Sequence, residues 1–234
     1  MKNNFRFVLL FFVALLCACS HKEDHYIGEE YLGAKYIYDP LGEEKAPDKD
    51  PLIRTDAFDC MTFVETSLAA GDIEKLNKIR YKNGEIGILT RNHFVEVDWL
   101  KNNANIVENV SNDYGKTEIK PVIIDKKNWF KKNYNIKTDF EKEFAEIEYI
   151  PYKKLQKLNI KKPMIILFLC DGEGFYENAG SDLTIIHMGF VLPGDILRHA
   201  ANDYGIVMDA DLNKYLEKMK RNKHHIGIAL VKIK

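Results

Sequence analysis

The sequence predicts an α+β fold in which a helix with a cysteine in its first turn packs on a mainly antiparallel β-sheet. Three observations point there. Phe63, Val64 and Leu68 follow Cys60 at helical spacing, and the small residues Ser67, Ala69 and Ala70 permit close packing before Gly71 ends the helix. Met164 to Leu169 is a continuous apolar run that reads as a fully buried strand. Around it, the last third of the chain breaks into short strand-like runs separated by turn residues. No internal repeat, P-loop or dinucleotide-binding glycine pattern interrupts this reading.

The 234 residues are 46% hydrophobic and 29% charged, enough to build a core in one domain or at most two. A net charge of −1 excludes a global attraction to nucleic acid or to an anionic membrane.

Lys2 and Arg6 precede an apolar stretch, Phe7 to Leu16, that is too short to span a bilayer comfortably. It ends in Leu16-Cys17-Ala18-Cys19, which resembles a bacterial lipobox with small Ala18 before the cysteine to be acylated. The expectation is a signal peptide over 1–18, a lipidated tether over 19–25 and a folded domain over 26–234. Cys19 then anchors the chain to a membrane of the bacterial cell envelope, facing the periplasm. An ordinary secretory signal gives the same export.

Tyr26 to Gly33 predicts a short helix, and Asp39 to Arg54 a long polar loop with three prolines, of the kind that helps to build sites. Asp56 and Asp59 are both candidate N-caps for the Cys60 helix. Asp72 to Arg80 follows as a second helix, and Arg91 to Trp99 leads into a third near Asp98 to Asn103. Thr117 to Ile124 and Glu146 to Ile150 are strand-like. The run from Lys126 to Lys132 mixes bases with aromatics, as single-strand binders do, but without a further basic stripe it reads as a solvated face. Asp171 to Gly174 reads as a hairpin loop. Met164 to Cys170, Thr184 to Leu192, Asp195 to Ala200 and Gly205 to Asp209 are the candidate strands, with a turn at Pro193-Gly194. Asp211 to Lys220 predicts a helix, and Ile226 to Ile233 a half-buried last strand.

A thiol at a helix N-terminus feels the positive end of the dipole, which favours the thiolate, and the same N–H groups can receive an oxyanion. With Cys17 removed and Cys19 acylated, Cys60 and Cys170 are left. A disulfide between them is the competitor to a reactive Cys60. A hairpin at Pro193-Gly194 brings His187 and His199 to one face of neighbouring strands, where one imidazole can act as base and the other can orient it. Metal binding is the alternative, but no close-spaced ligand pair supports it, so neither metal nor cofactor is expected. His93 reads equally well as a substrate contact or as a hydrogen-bonded structural residue.

Asp59-Cys60, His187-x-Gly189 and His199 twelve residues after His187 resemble the NlpC-type branch of papain-like cysteine peptidases and amidases. Tyr36, in Gly33-Ala34-Lys35-Tyr36, is similar to that superfamily's Gly-x-Pro-Tyr element, with Lys35 in place of the proline. Asp59 to Glu65, Ile79-Arg80-Tyr81, Arg91 to Phe94 with Asp98-Trp99, and Leu197 to Ala200 resemble a narrower group. That group is the cysteine N-acetylmuramoyl-L-alanine amidase-like family, and the similarity runs from about Tyr26 to the C-terminus. The resemblance implies a papain-like (NlpC-type) fold and a peptidoglycan or muropeptide substrate. It also implies Cys60 as nucleophile, His187 as base, His199 as its orienting partner and Tyr36 at the oxyanion. Asp59, Arg91, Asn92 and His93 are the expected oxyanion and substrate neighbours. An endopeptidase cutting the D-glutamyl–diamino-acid bond, or a non-catalytic peptidoglycan-binding lipoprotein, remains an alternative.

Overall fold

Asp59, not Asp56, opens the cysteine helix in the computed structural model, which describes residues 27–172 and 175–234. The expected signal peptide, Cys19 and the tether lie outside the described residues. Asp59 Oδ1 accepts the Thr62 backbone N–H at 2.8 Å, while Thr62 Oγ1 accepts the Asp59 N–H at 3.0 Å. This reciprocal capping box fixes the first turn. Asp56 instead pairs with Arg54 at the surface.

In chain order, β1 (Lys35–Tyr36) and β2 (Ala57–Phe58) precede α1 (Cys60–Ala69) and α2 (Ile73–Arg80). A π-helical turn, Val95–Trp99, runs into α3 (Leu100–Asn102), followed by β3 (Val107–Asn109), β4 (Glu118–Ile124) and α4 (Lys126–Tyr134). Then come β5 (Glu143–Pro151), β6 (Met164–Cys170), α5 (Phe175–Ala179), β7 (Ile185–Leu192), β8 (Ile196–Ala201), β9 (Ile206–Asp211), α6 (Leu212–Lys220) and β10 (His225–Ile233). The strands form a ten-stranded sheet in the order β2-β1-β9-β8-β7-β6-β10-β5-β4, with β3 also on β10. Among the described strands, β1 and β2 alone pair in parallel.

The α+β expectation with a mainly antiparallel sheet holds, and the central strands fall where the apolar runs place them. The N-terminal segment differs. Its helix is a single 3-10 turn, Glu29–Tyr31, because Gly28 and Gly33 at its two ends both take left-handed backbone. The lysine-rich run is a helix, α4, capped by Asp125 through the Asn128 N–H at 2.9 Å.

Layers on both faces explain why β6 is buried throughout. Ile165, Leu167 and Leu169 point toward Phe63, Val64 and Leu68 of α1. Ile166 and Phe168 point the other way, toward Leu212, Leu216 and Met219 of α6. Helix α1 therefore lies on one face and α6 on the other.

Candidate active site

The short parallel pair β1–β2 carries Tyr36 to the cysteine. Tyr36 registers with Phe58, two residues before Cys60. Cys60 is the first residue of α1, where backbone N–H groups lack intrahelical partners. Cys60 and Cys170 are both free, and Cys170 Sγ faces the Leu183 carbonyl at 3.5 Å. The disulfide competitor is thus not formed.

His187 lies on β7 and His199 on β8. The two strands register as Phe190 with Arg198, Val191 with Leu197 and Leu192 with Ile196. Continuing that register sets His199 opposite Gly189, so the histidines are diagonal neighbours on one face rather than directly opposite. Gly189 makes the diagonal possible. A Cβ there would sit 2.8 Å from the His199 Cβ and 2.8 Å from the Arg198 carbonyl oxygen. The imidazoles meet with His187 Nε2 2.7 Å from His199 Nδ1. Gly189→Ala is therefore expected to push β8 off β7 and break this hydrogen bond. Its cost in stability is about 1–3 kcal/mol, the range for overpacking. The check is the imidazole N–H resonance of the pair, which should vanish even in molecules that remain folded.

Tyr36, Cys60, His187 and His199 line one cleft of about 190 Å³, closed by Asp203, Tyr204 and Tyr215. Burial, and next the neighbouring Asp59 carboxylate, push the Cys60 thiol up to about 12, against the opposing pull of the Met188, Cys60 and Met61 N–H groups. The expected helix-terminus stabilisation of a thiolate is present but outweighed, and the resting group is a thiol. Burial also lowers His187 to about 3, with His199 adding to the effect, and lowers His199 to about 4. Both rings are neutral near pH 7. Burial and then the Cys60 and Asp59 charges raise Tyr36, so its hydroxyl keeps the proton as a hydrogen-bond donor.

Arg91, Asn92 and His93 do not join that cleft. They wall a neighbouring cavity of about 640 Å³ that also includes Asp39, Asp59, Trp129 and Tyr134. The Arg91 guanidinium is engaged by Glu43 at 2.8 Å, Asp48 at 2.6 Å and Asp39 at 3.3 Å. Asn92 donates to the Ile79 carbonyl at 2.8 Å and accepts from Asn102 at 2.6 Å. His93 Nε2 lies 2.7 Å from the Ile88 carbonyl, beneath Trp129 and Phe130. Burial lowers it to about 3, so it is neutral and Nε2 carries the proton. Asp59 links that cavity to the cysteine helix, capping α1 and accepting the Asp39 N–H at 3.2 Å.

Sequence reasoning missed Tyr215, Phe168 and Asp203. The signal for Tyr215 was its place in the apolar stripe Leu212, Tyr215, Leu216, Met219 at helical spacing. Among the described residues, no group of three His, Cys, Asp or Glu could hold a metal ion, and no helix is long and apolar enough to cross a membrane.

A family model described as AmiA-like, N-acetylmuramoyl-L-alanine amidase-like, matches residues 26–227. No curated protein matches the chain. Among solved structures, a Legionella pneumophila protein of the DUF1460 family superposes with a TM-score of 0.80 at 24% identity, covering 88% of this chain and 86% of that one. A Bacteroides uniformis N-acetylmuramoyl-L-alanine amidase gives 0.68 at 23% identity, covering 88% and 97%. A Bacteroides fragilis protein with a provisional xylanase name gives 0.70 at 24% identity, covering 88% and 98%. At these identities the three share a fold with this chain.

Proposed function

Because the chain belongs to the AmiA-like family of N-acetylmuramoyl-L-alanine amidase-like proteins, we propose that it hydrolyses the amide between N-acetylmuramate and L-alanine in peptidoglycan fragments, with Cys60 as nucleophile. The observation that carries this reading is the cleft that a helix-terminal thiol and a hydrogen-bonded histidine pair line together. Among the described residues, that cleft has a single carboxylate, Asp203. A glycosidase of the usual kind needs two carboxyl groups across its scissile bond, which disfavours a xylanase-type reaction.

The chemistry follows from the neutral resting state. His187 Nε2 is occupied by His199, so Nδ1 is the nitrogen left for the thiol. To accept a proton there, His187 must carry its own on Nε2 and donate it to His199 Nδ1, which puts the His199 proton on Nε2. As Sγ attacks the carbonyl carbon, its proton moves to His187 Nδ1, and the imidazolium is stabilised through Nε2–H to His199. The oxyanion is received by the Cys60 N–H and the Tyr36 hydroxyl, each such donor being worth about 10²–10³ in turnover. His187 returns the proton to the leaving L-alanine nitrogen, and water then hydrolyses the muramoyl thioester with the same imidazole as base.

On this reading the helix-on-sheet core is an NlpC-type, papain-like one. Residues 1–18 are a lipoprotein signal peptide, Cys19 is acylated and 26–234 is the envelope-facing catalytic domain. The lipobox-like Leu16 to Cys19 supports the anchor, and membrane fractionation of Cys19→Ser tests it. The substrate is tested by digesting defined muropeptides and assigning the product ends by mass spectrometry. Free L-alanyl peptides together with the intact muramyl sugar are expected. Release of diamino-acid peptides while the muramate–alanine amide survives overturns the substrate, and no cleavage of either bond leaves a binding lipoprotein instead.

A further inference from the structure

Helix α6 brings one aromatic ring to the histidine pair. Leu212, Leu216 and Met219 on its inward stripe enter the core under the sheet. Tyr215, from the same stripe, lies against the imidazoles instead, with its ring centroid 5.0 Å from His199 at 75° and 6.2 Å from His187. It also meets Phe168 at 5.1 Å, and Phe168 stacks on His187 at 5.6 Å and 30°. The pair is therefore packed against two aromatic side chains. His199 is only 2% exposed, yet its Nε2 has no hydrogen-bond partner among the described residues. Besides His187, Tyr215 is the aromatic ring in contact with it.

We propose that Tyr215 is a positioning residue for the base, its ring keeping water from the His199 imidazole and so keeping His199 out of the doubly protonated form in which His187 cannot take the thiol proton. This rests on the Cys60–His187 reading above. The reason lies in the hydrogen bond itself. If His199 were protonated on both nitrogens, its Nδ1–H would donate to His187 Nε2. His187 would then carry its proton on Nδ1, the one nitrogen not engaged by His199, and could not act as base. Only a His199 that stays bare at Nδ1 leaves His187 Nδ1 open.

The charges around the pair do not impose that state. Asp203, after β8, and Asp209, on β9, both favour a protonated His199, while Lys218, one turn beyond Tyr215, opposes it. Asp203 is itself paired with Lys218. Cys60 on α1 and Tyr36 on β1 face the cleft as uncharged groups. Exclusion of water is the largest influence on both rings, and a packed aromatic side chain supplies it.

The test is a titration of the two imidazoles by ¹⁵N NMR, alongside the pH dependence of Cys60 alkylation by iodoacetamide, in wild type, Tyr215→Phe and Tyr215→Ala. Tyr215→Leu is added in case the alanine variant fails to fold, judged by its thermal melt. Tyr215→Phe should titrate like wild type. Tyr215→Ala and Tyr215→Leu should raise both imidazole midpoints by about one pH unit or more toward the ordinary histidine value. Their alkylation rates should fall with acid over the same range. Midpoints unchanged in folded Tyr215→Ala or Tyr215→Leu overturn the proposal. So does a Tyr215→Phe as perturbed as the alanine variant, since the hydroxyl would then be the acting part. Neither measurement needs substrate, so a failed muropeptide digestion refutes the amidase reading without touching this result.

Discussion

Replacing His187 by alanine is expected to lower kcat on the muramoyl–alanine amide by about 10²–10⁴-fold, the range for losing a general acid–base group. The loss should fall on kcat rather than KM, because the imidazole acts on a proton in flight and not on the bound substrate. The thiol held up at about 12 makes the dependence steep. Without a neighbouring base, hydroxide has to deprotonate Cys60, so the residual rate should climb with pH through the neutral range. Wild type should instead be level from about pH 5 to 8, because His187 is already neutral far below that window. His199→Ala should cost less. It removes the acceptor of His187 Nε2–H, a loss of about 1–3 kcal/mol, and leaves the proton-transferring atom in place. His199→Asn or His199→Gln, whose amide oxygen can accept the same N–H, should recover part of it. A His187→Ala enzyme with a wild-type rate and a flat pH profile would remove His187 from the mechanism.

The histidine pair shows how far a sequence carries such a site. A turn near Pro193-Gly194 makes the two strands neighbours and sets both rings at about the same distance from it, and that much is readable from position. Whether they share a face is not, because one residue more or less in the turn reverses it. The connection after Leu192 is Pro193-Gly194-Asp195, with Gly194 and Asp195 both in left-handed backbone, and it sets the register that places Gly189 opposite His199. A turn placed at Pro193-Gly194 alone misses it by a step. The Cys60 helix is legible because its cap and its apolar spacing are local, and β6 because a run of apolar residues has few other fates. Tyr36 reaches the cysteine through two-residue strands more than twenty residues apart, too short to leave a periodicity. The helix terminus that favours a Cys60 thiolate is legible in the sequence, and the burial that acts against it is not.

The Asp39–Arg54 loop marks a second boundary. Polarity and prolines read as a site-building loop, and they give no sign that Leu41 and Glu43 are buried. Two arginines draw it inward from outside its own sequence. Arg80 of α2 donates to the Leu52 carbonyl at 3.0 Å and pairs with Glu65 of α1 at 3.3 Å. Arg91 holds Glu43 and Asp48. Such partners lie tens of residues apart, and an interspersed charge pattern gives no sign of which ones will meet.

Arg91→Ala is accordingly expected to destabilise the protein by about 3–5 kcal/mol, the cost of leaving buried charge unpaired. The side chains of Glu43 and Asp48 are 1% and 8% exposed, so water cannot replace the guanidinium. Burial acts to lower Arg91, but its hydrogen bonds to Glu43 and Asp48 outweigh that and raise it, so it is cationic at every accessible pH. Urea unfolding of the variant beside wild type measures the deficit. Adding Glu43→Leu to an Arg91→Met background should restore part of the stability, because one of the two buried charges leaves with its burial penalty. A small deficit would mean that the loop is held by its apolar residues alone. A deficit of the expected size would loosen the wall of the larger cavity at Asp39, and with it the backbone N–H that Asp39 gives to the Asp59 cap of the cysteine helix.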